Sequence, residues 1–352
     1  MEINLRWYWG EVIVHKDLAS CVLEQLNGYL HSLEQLHSMA ELKKGVLLTF
    51  RELEETTRLG GRVIISYDSE YEYKARHFWE ELLGQYKAKR GAVPSLLLLK
   101  GPASSWSGGV RERDFLVHFG SFSPSAPRSS VVWVADHSGE PRRAGGKADV
   151  DMALPHYGLL SFVLHAFCEA FEPSGTSFRL ESAIESAVNA TKATIESFNL
   201  SSVLMTLEGM LKAQVCKGGG FLFLAGNGGS ACDTFDIGSD VPVLFLAESG
   251  YITCVANDFG YETVFSRAVE SMEVGYDVFL GISTSGRSPN IVKALKAAKE
   301  RKVEAIFLGG VKGGPATEVS DLNILVGSEE TNRIQEIHSM VLRGVGNWIR
   351  QC

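Results

Sequence analysis

The chain has 352 residues, 45% hydrophobic and 22% charged, an ordinary globular composition that excludes collagen, coiled coil and intrinsic disorder and is long enough for two domains. Its formal charge is −8, from 34 basic and 42 acidic residues, so a broad nucleic-acid-binding surface is not expected. No apolar run approaches the 18 residues of a membrane span.

The N-terminal sequence MEINLRWYWGEVIVHKDLAS lacks a basic segment followed by an apolar stretch and a small-residue cleavage site; secretion is not expected. The six cysteines show neither CxxC nor regular spacing, as in a reduced, cytoplasmic protein with free thiols. A long helical stretch is predicted over about Leu18–Glu55, then a Gly-Gly turn into a strand, GGRVIIS (60–66). A helix carrying His77 and Glu81 follows. Next come buried strands in RDFLVHFGSFS (113–123) and SVVWVAD (130–136), the segment ADVDMAL (148–154), and an apolar helix, Tyr157–Phe171. Glu172–Ser177, EPSGTS, reads as a linker.

Beyond it the same order recurs. A helical stretch over Leu180–Lys217 precedes GGFLFLA (219–225), YDVFLGISTSG (276–286), EAIFLGG (304–310), SDLNILV (320–326) and a last helix, Arg333–Ile349. The offset of the Gly-Gly turns is 219 − 60 = 159, and it sets His77 on Asp236 and Glu81 on Asp240. Runs such as Phe221–Ala225, Val243–Leu246, Val278–Ile282 and Ala305–Leu308 are expected to be buried on both faces, as in a parallel α/β sheet covered by helices. The first half looks trimmed: it has no counterpart of the helix Pro289–Lys299, and a Gly/Ser/Trp loop between its second and third strands.

Two turns in the second half suit an anion. FLFLAGNGGS (221–230) is a strand, a glycine-rich turn and a helix start, with Ser230 near the helix N-terminus. Ile282–Ser288, ISTSGRS, is a second, hydroxyl-rich turn that opens the helix Asn290–Lys299. Ser, Thr and Gly also simply cap helices; two such loops at strand carboxyl ends favour phosphate binding. Gly226–Ala231 fits a loose GxGxxA pattern, but the expected acidic residue about 20 positions on is not clear, Glu248 being nearest, and no GK[ST] follows. A sugar phosphate is therefore preferred to a nucleotide.

GNGGSACD (226–233), ANDFGYETVFSR (256–267), YDVFLGISTSGRS (276–288) and NRIQEIH (332–338) together resemble the phosphoheptose isomerase family, in the family's order. The resemblance covers most of Gly219–Trp348. It implies the sugar isomerase (SIS) fold and aldose–ketose isomerisation of sedoheptulose 7-phosphate. Initiator-associating SIS proteins share much of the pattern. The second half departs from it at Asp236 and Asp240, where the family has a His and a Glu, and at Arg343, where it has a second His. The first half supplies what is missing: Arg76–Tyr86 resembles the family's catalytic helix, with His77 and Glu81 on its His and Glu, and LPHYGLLSFVLHAFCEAF (154–171) sets His165 on the second His. Its own loop, Ser66–Tyr71, has lost the glycines and gained Asp68 and Glu70, which would repel phosphate.

The expected architecture is α/β: two tandem SIS-like domains, 1–172 and 178–352, each a parallel sheet flanked by helices, packed as a pseudo-dimer. His77 and Glu81, at i and i+4, share one helical face. Gln335 and Arg343, at the family's Gln and second-His positions, are eight apart on one helix and separated by about 12 Å; the resemblance therefore implies that these two groups come from different subunits, and in this chain Gln335 of one half is expected to meet His165 of the other. His77, Glu81, His165 and Gln335 form a candidate metal set, with zinc favoured. The resemblance implies Glu81 as base, His165 as proton shuttle, Asn227, Ser230, Ser283, Thr284, Ser285 and Ser288 on the phosphate, and Asp258 and Gln335 on the sugar. His118, His137 and His156 lack motif context and are read as structural; His338 matches a family position but could simply pack. The expected partner is a phosphorylated sugar, with no nucleic acid or membrane, in a homodimer resembling the family tetramer. The alternative is a non-catalytic sugar-phosphate sensor or protein-binding SIS module.

Overall fold

The computed structural model describes residues 16–36, 38–84, 91–97, 114–119, 131–135, 150–154, 157–172, 179–199 and 202–352. The first half runs α1 (Leu18–Leu36), α2 (Ala40–Arg58), β1 (Val63–Tyr67), α3 (Glu72–Leu83), β2 (Ser95–Leu97), β3 (Phe115–Phe119), β4 (Val131–Ala135), β5 (Val150–Ala153) and α4 (Gly158–Cys168). The second runs α5 (Leu180–Asn199), α6 (Val203–Leu211), β6 (Leu222–Ala225), α7 (Gly229–Asp233), β7 (Val243–Phe245), α8 (Ser249–Phe259), α9 (Val264–Val269), β8 (Val278–Ser283), α10 (Pro289–Arg301), β9 (Glu304–Gly310), β10 (Leu322–Val326) and α11 (Thr331–Ile349).

The two sheets are wholly parallel and share one strand order, β2-β1-β3-β4-β5 and β7-β6-β8-β9-β10. Register repeats as well, with Val63 opposite Phe115 and Leu222 opposite Val278. So does the device that ends the central strands. Asp114 accepts from the Arg62 amide at 3.0 Å, and Asp277 from the Phe221 amide at 2.9 Å. Each carboxylate satisfies a backbone donor where the ladder stops.

Three expectations change. Each predicted long helical stretch is two helices; before α2, Ser38 Oγ donates to the Gln35 carbonyl at 2.7 Å, the local side-chain bond that competes with helix continuation. The sequence reading passed over β2. Its counterpart β7 shows the signal: Val93-Pro94 and Val241-Pro242 occupy the same place, and the Pro94 and Pro242 carbonyls accept from the Val63 and Leu222 amides. Val243–Leu246 is not buried on both faces, because β7 is an edge strand and Leu244 is 42% exposed.

A single apolar core runs through both halves, from α1, α2 and α4 to β6, β8 and α11. A second cluster lies beneath α8, α9 and α10. In α11, 16 of 19 residues are buried, among them Arg333, Gln335, Glu336, His338 and Ser339. A helix enclosed on every side sits at the centre of the molecule, so the polar groups of α11 must find partners inside it. No described helix is long and apolar enough to cross a membrane. The Gly/Ser/Trp stretch 101–109, as well as 120–130, His137, His156 and linker residues 173–177, lies outside the described residues.

Candidate active site

Helix α3 docks against α7 of the other half, and the rings of Tyr73 and Phe235 stack at 3.4 Å across that seam. This packing buries His77 completely. Its Nε2 stands 3.6 Å from Glu81 Oε1 one turn on, and its Nδ1 stands 3.4 Å from Asp233 Oδ1. Burial alone would keep the ring neutral; Asp233, with Glu81, overrides it and raises the imidazole to about 9. Asp233 is lowered in turn, against its own burial, chiefly by His77.

His165, on α4, is also fully buried, its ring edge-on to His77 with centroids 5.3 Å apart. Its Nδ1 is 2.9 Å from Glu336 Oε1 on α11. Burial is the largest influence and lowers this imidazole, with Glu336 opposing. Gln335 comes from the same helix of the second half. A Cβ on Gly229 would collide with both His77 Nε2 and Gln335 Nε2, so these two side chains close over the first residue of α7. The side chains of His77, Glu81, His165 and Gln335 thus gather at one seam between the halves, beside the GNGGS turn.

The phosphate-loop residues surround this turn. Gly228 adopts φ +51°, a backbone shape suited to glycine, and Ser230 is buried. The Asn227 side chain is fixed by a two-way amide pair with Asn290 at 3.0 and 2.8 Å and by the Tyr261 hydroxyl at 2.8 Å. In the second loop, the hydroxyls of Ser283 and Ser288 lie 3.0 Å apart, and Ser285 Oγ accepts from the Arg287 amide. Thr284 is half-buried and Ser285 exposed. Asp258 is exposed on α8, and its hydrogen bonds stay within that helix, to Asn257 and Cys254; these bonds do not bring it to the loops.

The pseudo-symmetric position holds different chemistry. Offsets of 159 and 343 − 165 = 178 map His77, His165 and Gln335 onto Asp236, Arg343 and Tyr157. Asp236 accepts from Lys74 at 2.7 Å, from Tyr157 at 2.7 Å and from Ser339. Arg343 lies over the Tyr157 ring at 3.8 Å, and Asp240 pairs with Arg350 on the surface. Lys74 stays charged although burial opposes it, because Asp236 and Asp233 flank it. The mirror site is thus filled by its own ion pairs, with Lys74 and Tyr157 supplied by the first half.

His118 bonds Ser66 and is lowered to about 4 by burial, and His338 is likewise lowered to about 4 within α11; both sit as neutral core residues. Sequence reasoning missed Asp233, Glu336, Asn290, Tyr261, Lys74 and Tyr157. Asp233 and Glu336 lie inside the quoted motifs, GNGGSACD and NRIQEIH. As for a metal, the donor chemistry of the four-residue set suits zinc, and the buried Gln335 Oε1 has no hydrogen-bond partner. Among the described residues, however, no three His, Cys, Asp or Glu side chains lie close enough together to hold an ion as they stand.

The chain is 40% identical over 162 residues to a phosphoheptose isomerase of Proteus mirabilis (strain HI4320), covering 43% of this chain and 81% of that protein. It is 37% identical over 177 residues to one from Escherichia coli O7:K1 (strain IAI39 / ExPEC), covering 46% and 88%. Each match is about the length of one half. Two solved structures follow nearly the whole chain. The C-terminal domain of glucosamine-fructose-6-phosphate aminotransferase from Francisella tularensis covers 97% of this chain and 98% of its own, with TM-score 0.59 and 11% identity. Tagatose-6-phosphate ketose/aldose isomerase from Escherichia coli covers 97% and 95%, with TM-score 0.52 and 9% identity. At those identities the likeness is one of fold. No family model matches the chain.

Proposed function

The chain belongs to the phosphoheptose isomerase family, and on that premise we propose that it interconverts sedoheptulose 7-phosphate and the corresponding aldose at one composite site between its halves. The observation that carries this is the meeting of His77 and Gln335, from opposite halves, over Gly229 of the phosphate loop. Asn227, Ser230, Ser283, Thr284, Ser285 and Ser288 hold the phosphate, and Gln335 and Asp258 contact the sugar. Glu81 takes a proton from C1 of the ketose, giving an enediolate, and returns it to C2. His165 moves the hydroxyl proton from O1 to O2, so that C1 becomes the aldehyde and no atom is gained or lost. The positive charge needed beside the enediolate comes from the His77 imidazolium. We also propose zinc at His77, Glu81, His165 and Gln335; bound there, it would supply that positive charge and polarise the carbonyl, and the base and shuttle roles above are those of Glu81 and His165 while they are not ligating it.

The filled mirror site supports one active site per chain, and two chains would then reproduce a family-like assembly with two sites. The same filled site favours a second reading, a phosphosugar sensor that binds without turnover. Assay of the purified protein with sedoheptulose 7-phosphate, alongside binding of the same sugar, separates the two. Turnover supports the isomerase; binding with no turnover supports the sensor.

A further inference from the structure

His165, the proposed proton shuttle, does not stand alone. Its Nδ1 lies 2.9 Å from Glu336 Oε1, with the two side chains 0% and 1% exposed. The other oxygen, Oε2, accepts from the Tyr29 hydroxyl at 2.8 Å and is ion-paired with Arg333 Nη1 at 3.0 Å. Tyr29 is fully buried on α1, and burial first, then Glu336, pushes its phenol well up, so it remains a donor. Arg333 is anchored on the Ala183 carbonyl at 3.3 Å and over the Phe162 ring at 5.1 Å. A carboxylate that accepts a phenol's proton on one oxygen and is ion-paired there with a guanidinium stays ionised and offers its other oxygen as an acceptor. The proton in the 2.9 Å contact therefore belongs to His165 Nδ1.

We infer that Glu336 is the positioning residue of the site: it fixes His165 in the Nδ1–H tautomer and leaves the lone pair on Nε2 for the substrate's hydroxyl proton. This rests on the proposed role of His165. The carboxylate comes from the opposite half, which gives the seam between the halves a chemical function beyond burial. The mirror position cannot repeat it, because the offset of 178 that sets His165 on Arg343 sets Glu336 on Gly158.

The test is Glu336→Gln, read two ways on the full chain. In this variant the amide oxygen is drawn to Arg333 and Tyr29, so the amide NH₂ faces His165 and demands an acceptor. ¹⁵N spectra of histidine-labelled protein, with the His165 signals assigned by loss in His165→Asn, should show Nδ1–H in the parent chain and Nε2–H in Glu336→Gln. With sedoheptulose 7-phosphate, kcat should fall by about 10²-fold or more while KM changes by less than about threefold, as when a histidine loses its orienting carboxylate. An Nε2–H tautomer in the parent chain overturns the inference, as does a variant with tautomer and kcat both unchanged. If Glu336→Gln does not fold, the parent tautomer decides alone. If the tautomer reverses as expected but the parent chain turns over no sugar, the isomerase reading fails and the pairing stands.

Discussion

Asp236→Asn probes whether the mirror cluster is structural or catalytic. Asp236 is 4% exposed and paired with Lys74, itself 2% exposed, at 2.7 Å. It also accepts from Tyr157 and Ser339. The substitution keeps the shape and removes the charge, leaving Lys74 with Asp233 at 3.5 Å as its remaining carboxylate. Breaking a buried pair on one side costs about 3–5 kcal/mol. Unfolding entropy of about 2.1 cal/mol/K per residue over the chain gives about 0.7 kcal/mol/K, so Tm should drop by about 4–7 °C if the halves, which share one core, unfold together. Scanning calorimetry measures that drop. Turnover of sedoheptulose 7-phosphate below the transition should stay within about threefold, since no step uses Asp236. An unchanged Tm with turnover reduced tenfold or more would refute the reasoning, because the mirror site would then be the working one.

Ser283→Ala or Ser230→Ala should weaken phosphosugar binding by about 10- to 150-fold, the equivalent of losing a charge-assisted bond of about 1.5–3 kcal/mol, and titration calorimetry reads it. Ser69→Ala, in the first half's altered loop, should be silent; equal damage there would rule out a single phosphate site. Gly229→Ala drives a methyl group against His77 and Gln335, so turnover should fall at least tenfold while the protein stays folded by circular dichroism; unaltered turnover would mean that these side chains do not act together. Metal analysis of protein purified without chelator should find about one zinc per chain, and a metal-free protein at full activity would remove zinc from the proposal.

What the sequence made legible was local. Strand runs, glycine turns and the i,i+4 spacing of His77 and Glu81 are properties of short segments. Two copies of the same order doubled that signal, and with the family resemblance it was enough to group His165 and Gln335 with His77. The order of strands and the register of β1 on β3 and of β6 on β8 follow the same repetition. The three-residue β2 was too short to show a period. The buried charges were harder. Lys74, Asp233 and Glu336 carry the composition of a solvated helix face, and apart from Arg333, three residues before Glu336, the partners named for them lie 106 to 307 residues away. Only the packing of α11 between the halves makes them interior groups. Asn290 and Tyr261, which hold Asn227, are likewise joined to it by tertiary contact.

Glu81→Gln, measured for both turnover and binding of sedoheptulose 7-phosphate, tests the central claim most directly. It preserves the shape of α3 and removes the base. The account predicts that turnover falls by orders of magnitude while binding of the phosphosugar persists, because the cradle lies in the other half. Full turnover in Glu81→Gln would contradict it and move the working carboxylate elsewhere.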